Sequence, residues 1–236
     1  MPKVLMIVAN PATSPVTGWP IGFWWAELSH AWLAFSEAGY QITVASPRGG
    51  DLLADAWSDP EHESGYSAHD IVSLGFKKAA HTAKLLQGTP ALADVEIASH
   101  DALFVVGGQS PMVSMIDDTG LHAAIARHYE AGKITAAVCH GTCVLLKTRL
   151  STGALLVEGK TWTGFANSEE RYAEHAAGQK LQPFWIEDAA RKIDGTNFIT
   201  GGPFARFAVR DGLLITGQQQ VSSGAAADLV IAALGR

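Results

Sequence analysis

Cysteine is scarce in this chain, which has only Cys139 and Cys143. A disulfide framework needs more, so none is expected. Charge is sparse too: Asp, Glu, Lys and Arg make up 17% against 47% hydrophobic residues. Disordered chains show the opposite balance, so a folded core is predicted. Basic clusters are lacking. The pair Lys77-Lys78 reads as a solvated helix face, and the formal net charge is -6. A phosphate-binding surface needs clustered Lys and Arg, so nucleic acid is excluded as the main partner. No apolar run approaches the ~20 residues that span a bilayer. Residues 1–9 hold a short apolar run, but Pro11, Thr13, Ser14 and Pro15 follow where a signal peptide would have a cleavage site. A cytoplasmic protein with no membrane partner is expected. Neither a Gly-x-Gly-x-x-Gly run nor a P-loop occurs, so the glycine-rich signatures of nucleotide binding are missing.

What is present is alternation. Residues 3–9, 41–45, 102–106 and 134–138 are short apolar runs bounded by turn residues, the pattern of buried strands. Residues 160–163, 207–209 and 213–216 read as shorter strands. Residues 23–38 and 119–131 carry helical periodicity and are closed by Gly39 and Gly132. A helical pattern over 69–87 breaks near Gly75. A helix over 142–147 follows the fourth strand, and one over 222–234 ends the chain, with Ser222 or Ser223 as N-cap. Residues 51–66 read as loops and short turns. The order predicts one domain over residues 1–236: a flavodoxin-like three-layer α/β/α sandwich around a mostly parallel sheet. Sites in such folds form at the carboxyl ends of the strands.

Three features coincide at Ala137-Val138-Cys139-His140-Gly141. A buried strand ends, a helix begins, and small residues stand two positions to either side of Cys139. A nucleophile elbow needs this combination, because small neighbours permit a tight turn that presents the nucleophile at the sheet's edge. Most free cysteines are merely small buried hydrophobes, but the turn and the adjacent histidine favour a nucleophile here. The helix N-terminus is expected to lower the thiol pKa. Cys143, one helical turn later, reads as structural. A zinc site built on Cys139, His140 and Cys143 lacks a second ligand pair.

These residues resemble the elbow of the ThiJ/PfpI superfamily. Residues 18–27, Ser46-Pro47-Arg48-Gly49-Gly50 and Gly159-Lys160-Thr161-Trp162-Thr163-Gly164-Phe165-Ala166-Asn167-Ser168-Glu169-Glu170 are similar to one branch of it. That branch holds the glutathione-independent glyoxalases (glyoxalase III) and stress-induced chaperone-like proteins. The resemblance implies Cys139 as nucleophile, His140 as its acid–base partner, and Glu27 as a carboxylic acid pointing at the sulfur. It implies Glu170 as the acid that orients His140, with Glu169 the alternative if the register slips by one. The backbone N–H groups of Gly108 and His140 would form the oxyanion hole. Gln109-Ser110 stands where many relatives have His-Gly, and Thr142 where Pro is common. Trp24 or Trp25 could wall the pocket beside Glu27, whose pKa burial should raise.

The function implied is conversion of methylglyoxal or a related 2-oxoaldehyde to a 2-hydroxy acid, with neither cofactor nor metal, by a homodimer. A peptidase or amidase, a chaperone and a cysteine redox sensor are the rival readings. A glutamine amidotransferase would need a His-x-Glu pair on a later strand, and the sequence around His175 does not supply one.

Overall fold

The computed structural model describes residues 1–235. Its centre is a six-stranded sheet. In chain order the strands are β1 (Lys3–Ile7), β2 (Gln41–Ala45), β3 (Ala102–Val105), β4 (Ile134–Val138), β5 (Ala208–Asp211) and β6 (Leu214–Gly217). They lie in the order β2-β1-β3-β4-β6-β5. Every pairing is parallel except the β5–β6 hairpin. β3 and β4 are buried along their whole length, as continuous apolar runs covered on both faces must be.

The longer helices are α1 (Trp25–Glu37), α2 (Ile71–Lys78), α3 (Thr119–Glu130), α4 (Asn167–Ala177) and α5 (Ser223–Ala233). α1 packs against α5, α2 and β2, α5 also covers β4 and β6, and α3 packs against β4. This is the three-layer sandwich expected from the alternation. After β2 the chain crosses to the far side of β1 to build β3. The order therefore reverses beside β1, and a crevice opens where β1 and β3 end. Among the described residues, no helix is long and apolar enough to cross a membrane.

Some local expectations shift. The helix expected to break near Gly75 runs through it and ends at Lys78, with Ala79 extended at φ -75° and ψ 122°. Asp70 caps its start through the Ser73 N–H. The chain after β4 winds as a 3-10 helix from Cys139 to Leu146, starting three residues earlier than expected. Ser222 precedes α5 but does not cap it; its hydroxyl accepts the Phe207 N–H at 3.1 Å. Lys77 and Lys78 pair with Asp59 and Glu61, which fixes the irregular 51–66 segment to α2.

Candidate active site

Cys139 follows β4 directly and has φ +56°, a left-handed value rare outside glycine. The turn tolerates this because its surroundings leave no alternative. A side chain on Gly141 would meet the Val105 and Val106 carbonyl oxygens at 2.9 Å, so the elbow lies flush against β3. The Thr142 hydroxyl donates to the Cys139 carbonyl at 2.6 Å. Threonine thus holds the turn by a hydrogen bond. Cys143 is wholly buried, its Sγ 3.4 Å from the Pro111 carbonyl oxygen. Burial pushes that thiol far above the ordinary cysteine value, which leaves it inert.

Glu27 sits in the first turn of α1, with 0% of its surface exposed. The start of α1 is pinned from two sides: the Ser223 hydroxyl donates to the Glu27 carbonyl at 2.6 Å, and the Trp24 N–H donates to the Gly107 carbonyl at 3.3 Å. Burial raises the Glu27 carboxyl from 4.5 to about 8, against contacts with Cys139 and Gly107 that pull it down. Those contacts are close but poorly aligned, since neither carboxyl oxygen has a partner of good hydrogen-bond geometry. The group is therefore protonated at neutral pH.

The Cys139 thiol departs from expectation. Burial, then the charge of Glu27 and its contact with the sulfur, push it well above the ordinary cysteine value; the His140 N–H opposes them. A helix N-terminus supplies one favourable dipole, and desolvation of a residue that is 2% exposed outweighs it. At rest the Glu27–Cys139 pair holds both its protons.

His140 bridges the sulfur to a second acid. Its Nδ1 lies 3.4 Å from Cys139 Sγ, and its Nε2 lies 2.9 Å from Glu170 Oε1. Phe165 stacks on the imidazole at 4.2 Å. Glu170, 1% exposed, draws the ring proton to Nε2 and leaves the Nδ1 lone pair facing the thiol. Glu169 does something else. It accepts the N–H groups of Ala166 and Phe204 and the Gln218 amide, so it does not reach His140.

Asp55 was not legible in the sequence. It is 1% exposed and accepts the Gly22 N–H at 2.9 Å and the Gln109 N–H at 2.7 Å. It thereby clamps the segment leading into α1 to the turn after β3 that contains Gly108. Burial lifts its carboxyl to about 7, against those two N–H bonds. Gly108, at φ +104°, packs so closely that a Cβ would fall 2.6 Å from the Gly22 carbonyl oxygen and the Phe23 backbone.

A cavity of about 60 Å³ opens over Cys139 and His140. Trp24, Trp57, Tyr66, Phe165 and Phe204 wall it, and Gln109 stands among them. Trp25 instead enters the core beside Phe23 and Phe76.

Residues 22–230 match the DJ-1/PfpI family. The chain belongs to that family. It is 27% identical over 242 residues to glyoxalase 3 of Candida albicans, an alignment covering 99% of this chain and 98% of the other. It is 26% identical over 220 residues to a glutathione-independent glyoxalase of Saccharomyces cerevisiae, covering 90% and 89% of the two chains. The crystal structure of glyoxalase III from Candida albicans superposes with a TM-score of 0.80 at 25% identity, over 98% of this chain and 97% of that one.

Proposed function

We propose that this protein is a glutathione-independent glyoxalase, converting methylglyoxal or a similarly small 2-oxoaldehyde to the 2-hydroxy acid on Cys139. The observation that carries this reading is the buried, protonated Glu27 carboxyl against the sulfur, opposite a His140–Glu170 pair. Acyl hydrolysis needs a nucleophile and a histidine. Moving a proton between adjacent carbons calls for a further acid held neutral at the reacting centre. The glyoxalase names of relatives that match along most of the chain support glyoxalase function in general. Cavity size also favours a small substrate. The cavity over Cys139 has about 60 Å³ against about 570 Å³ for the cleft beside it, so the space next to the sulfur is the confined one.

The chemistry follows from the placement. His140 Nδ1 takes the thiol proton while sulfur bonds to the aldehyde carbon. The carbonyl electron pair moves onto oxygen, facing the Gly108 and His140 N–H groups, and protonation gives a hemithioacetal. His140, freed of the thiol proton, then removes the hydrogen from that carbon as a proton, with the Glu27 acid as the donor opposite. The electron pair left behind forms an enediol as the neighbouring oxygen is protonated. Returning a proton to the second carbon leaves a thioester beside a new hydroxyl. Water adds to the thioester, and Cys139 departs as the thiol. The sum is dicarbonyl plus water giving hydroxy acid. One carbon is oxidised and its neighbour reduced by the same electron pair, so no external electron acceptor is required. Lactate measured after mixing purified protein with methylglyoxal, without glutathione, is the test. Wild type should produce it and Cys139→Ala should not. No lactate from wild type would overturn the proposal.

A further inference from the structure

A second cleft, of about 570 Å³, adjoins the cavity over Cys139. Trp24, Tyr66, Tyr172, Phe204 and Gln220 line both spaces, so these side chains form the septum between them. The septum is internally braced. Gln220 Nε2 donates to the Tyr66 hydroxyl at 3.4 Å, Trp24 meets Tyr66 edge-on at 5.9 Å, and Phe204 meets Tyr172 edge-on at 5.1 Å.

Phe204 is the unusual member. Its φ is +52°, and among the described residues only Cys139 shares a positive φ without being glycine. A bulky residue keeps that conformation only where its surroundings over-determine it. Here they do. The Phe204 N–H donates to Glu169 Oε1 at 2.9 Å, and Gln218 Nε2 donates to the same oxygen at 2.8 Å. Gln218 Oε1 accepts the Gly201 N–H at 2.7 Å, and Gln219 Nε2 donates to the Ala205 carbonyl at 2.8 Å. Glu169, Gln218 and Gln219 are all 0% exposed, so three buried polar groups serve one short loop. A loop built only to turn would place glycine at the strained position. This one has Gly201 and Gly202 close by, yet it sets an aromatic ring there.

We propose that Phe204, held in its strained conformation by Glu169 and Gln218, is a size filter. Its ring closes the Cys139 cavity against the outer cleft, so 2-oxoaldehydes with small substituents reach the sulfur and aryl-substituted ones do not. The substrate class rests on the glyoxalase reading; the filter itself does not, because it governs access to Cys139 by any reagent.

Two alkylating reagents that differ by one ring separate these claims. Iodoacetamide and iodoacetanilide both form a carbon–sulfur bond as iodide leaves, and peptide mass spectrometry reads the modification of Cys139. Phe204→Gly removes the ring and relieves the backbone, whereas Phe204→Leu keeps most of the bulk. Wild type should favour the smaller reagent. That preference should shrink about tenfold in Phe204→Gly and much less in Phe204→Leu. The kcat/KM ratio of phenylglyoxal to methylglyoxal should rise in step. An unchanged alkylation preference in Phe204→Gly would overturn the filter whatever the turnover. A changed preference in a protein that turns over neither dicarbonyl would uphold the filter and overturn the glyoxalase reading.

Discussion

Glu27→Gln puts the buried acid to a quantitative test. In the folded protein the Glu27 carboxyl is raised from 4.5 to about 8, while in the unfolded chain it titrates near ~4.3. Between those values the folded state keeps a proton that the unfolded state has lost. The group's contribution to stability is therefore full below the unfolded pKa and is lost as pH rises toward the folded one. The slope is about 1.4 kcal/mol per pH unit. At pH 7 the protein thus forgoes roughly 3 kcal/mol relative to its acid side. Glutamine has almost the same shape and does not titrate. The two proteins should agree within about 1 kcal/mol near pH 4.5, and the variant should gain on wild type by roughly 3 kcal/mol by pH 7. Urea unfolding of both proteins across that range measures the difference. Asp55, also raised, to about 7, is present in both and largely cancels. A difference that does not change with pH would refute a buried neutral Glu27.

The same variant speaks to mechanism. Glutamine has no proton to exchange, so turnover should fall ~10²–10⁴-fold if Glu27 is the shuttle. Alkylation of Cys139 by iodoacetamide should be no slower, because Glu27 is one of the causes that raise the thiol. Full turnover would exclude Glu27 and leave the transfer to His140.

Cys139→Ser should abolish lactate formation with the fold intact by circular dichroism, whereas Cys143→Ala, remote from the cavity, should be mild; the reverse pattern would displace the site. Glu170→Gln should lower kcat tenfold or more, since general acid–base partners contribute ~10²–10⁴-fold, with KM little changed. Equal kcat would mean that the Glu170 contact with His140 does no catalytic orienting. Asp55→Ala leaves the Gly22 and Gln109 N–H groups without an acceptor and should cost about 2 kcal/mol in urea unfolding near pH 4, below the range where the raised carboxyl destabilises the wild type; an unchanged midpoint there would show the clamp to be dispensable.

The elbow could be read from sequence because its determinants are local. Strand, small neighbours and histidine fall within Ala137–Gly141, and two of the contacts that enforce the turn, at Gly141 and Thr142, involve residues beside it in the chain. Asp55 left no such trace. It lies in an irregular segment with neither helical nor strand period, and its partners are backbone N–H groups 33 and 54 residues away. Backbone donors carry no residue signature, so nothing in the side-chain pattern marks their acceptor. The thiol pKa failed for a related reason. The helix dipole is visible from a few adjacent residues, but desolvation is a property of everything packed around the sulfur.

The pair Glu169–Glu170 shows how geometry resolves what the sequence leaves open. Two acids adjacent in sequence can look interchangeable when one of them must orient a histidine. On a helix of 3.6 residues per turn, successive side chains point about 100° apart, so two neighbours cannot serve the same partner. Glu170 takes His140 from one side of α4, while Glu169, rotated away, reaches back to the Ala166 N–H and across to Phe204 and Gln218. Both carboxyls are buried, at 0% and 1% exposure, and each has its own donors. A single turn of α4 therefore holds the His140 ring beside Cys139 and fixes the loop that walls the cavity over it. Exchanging Glu169 should disturb which substrates enter, and exchanging Glu170 should disturb what happens to those that do.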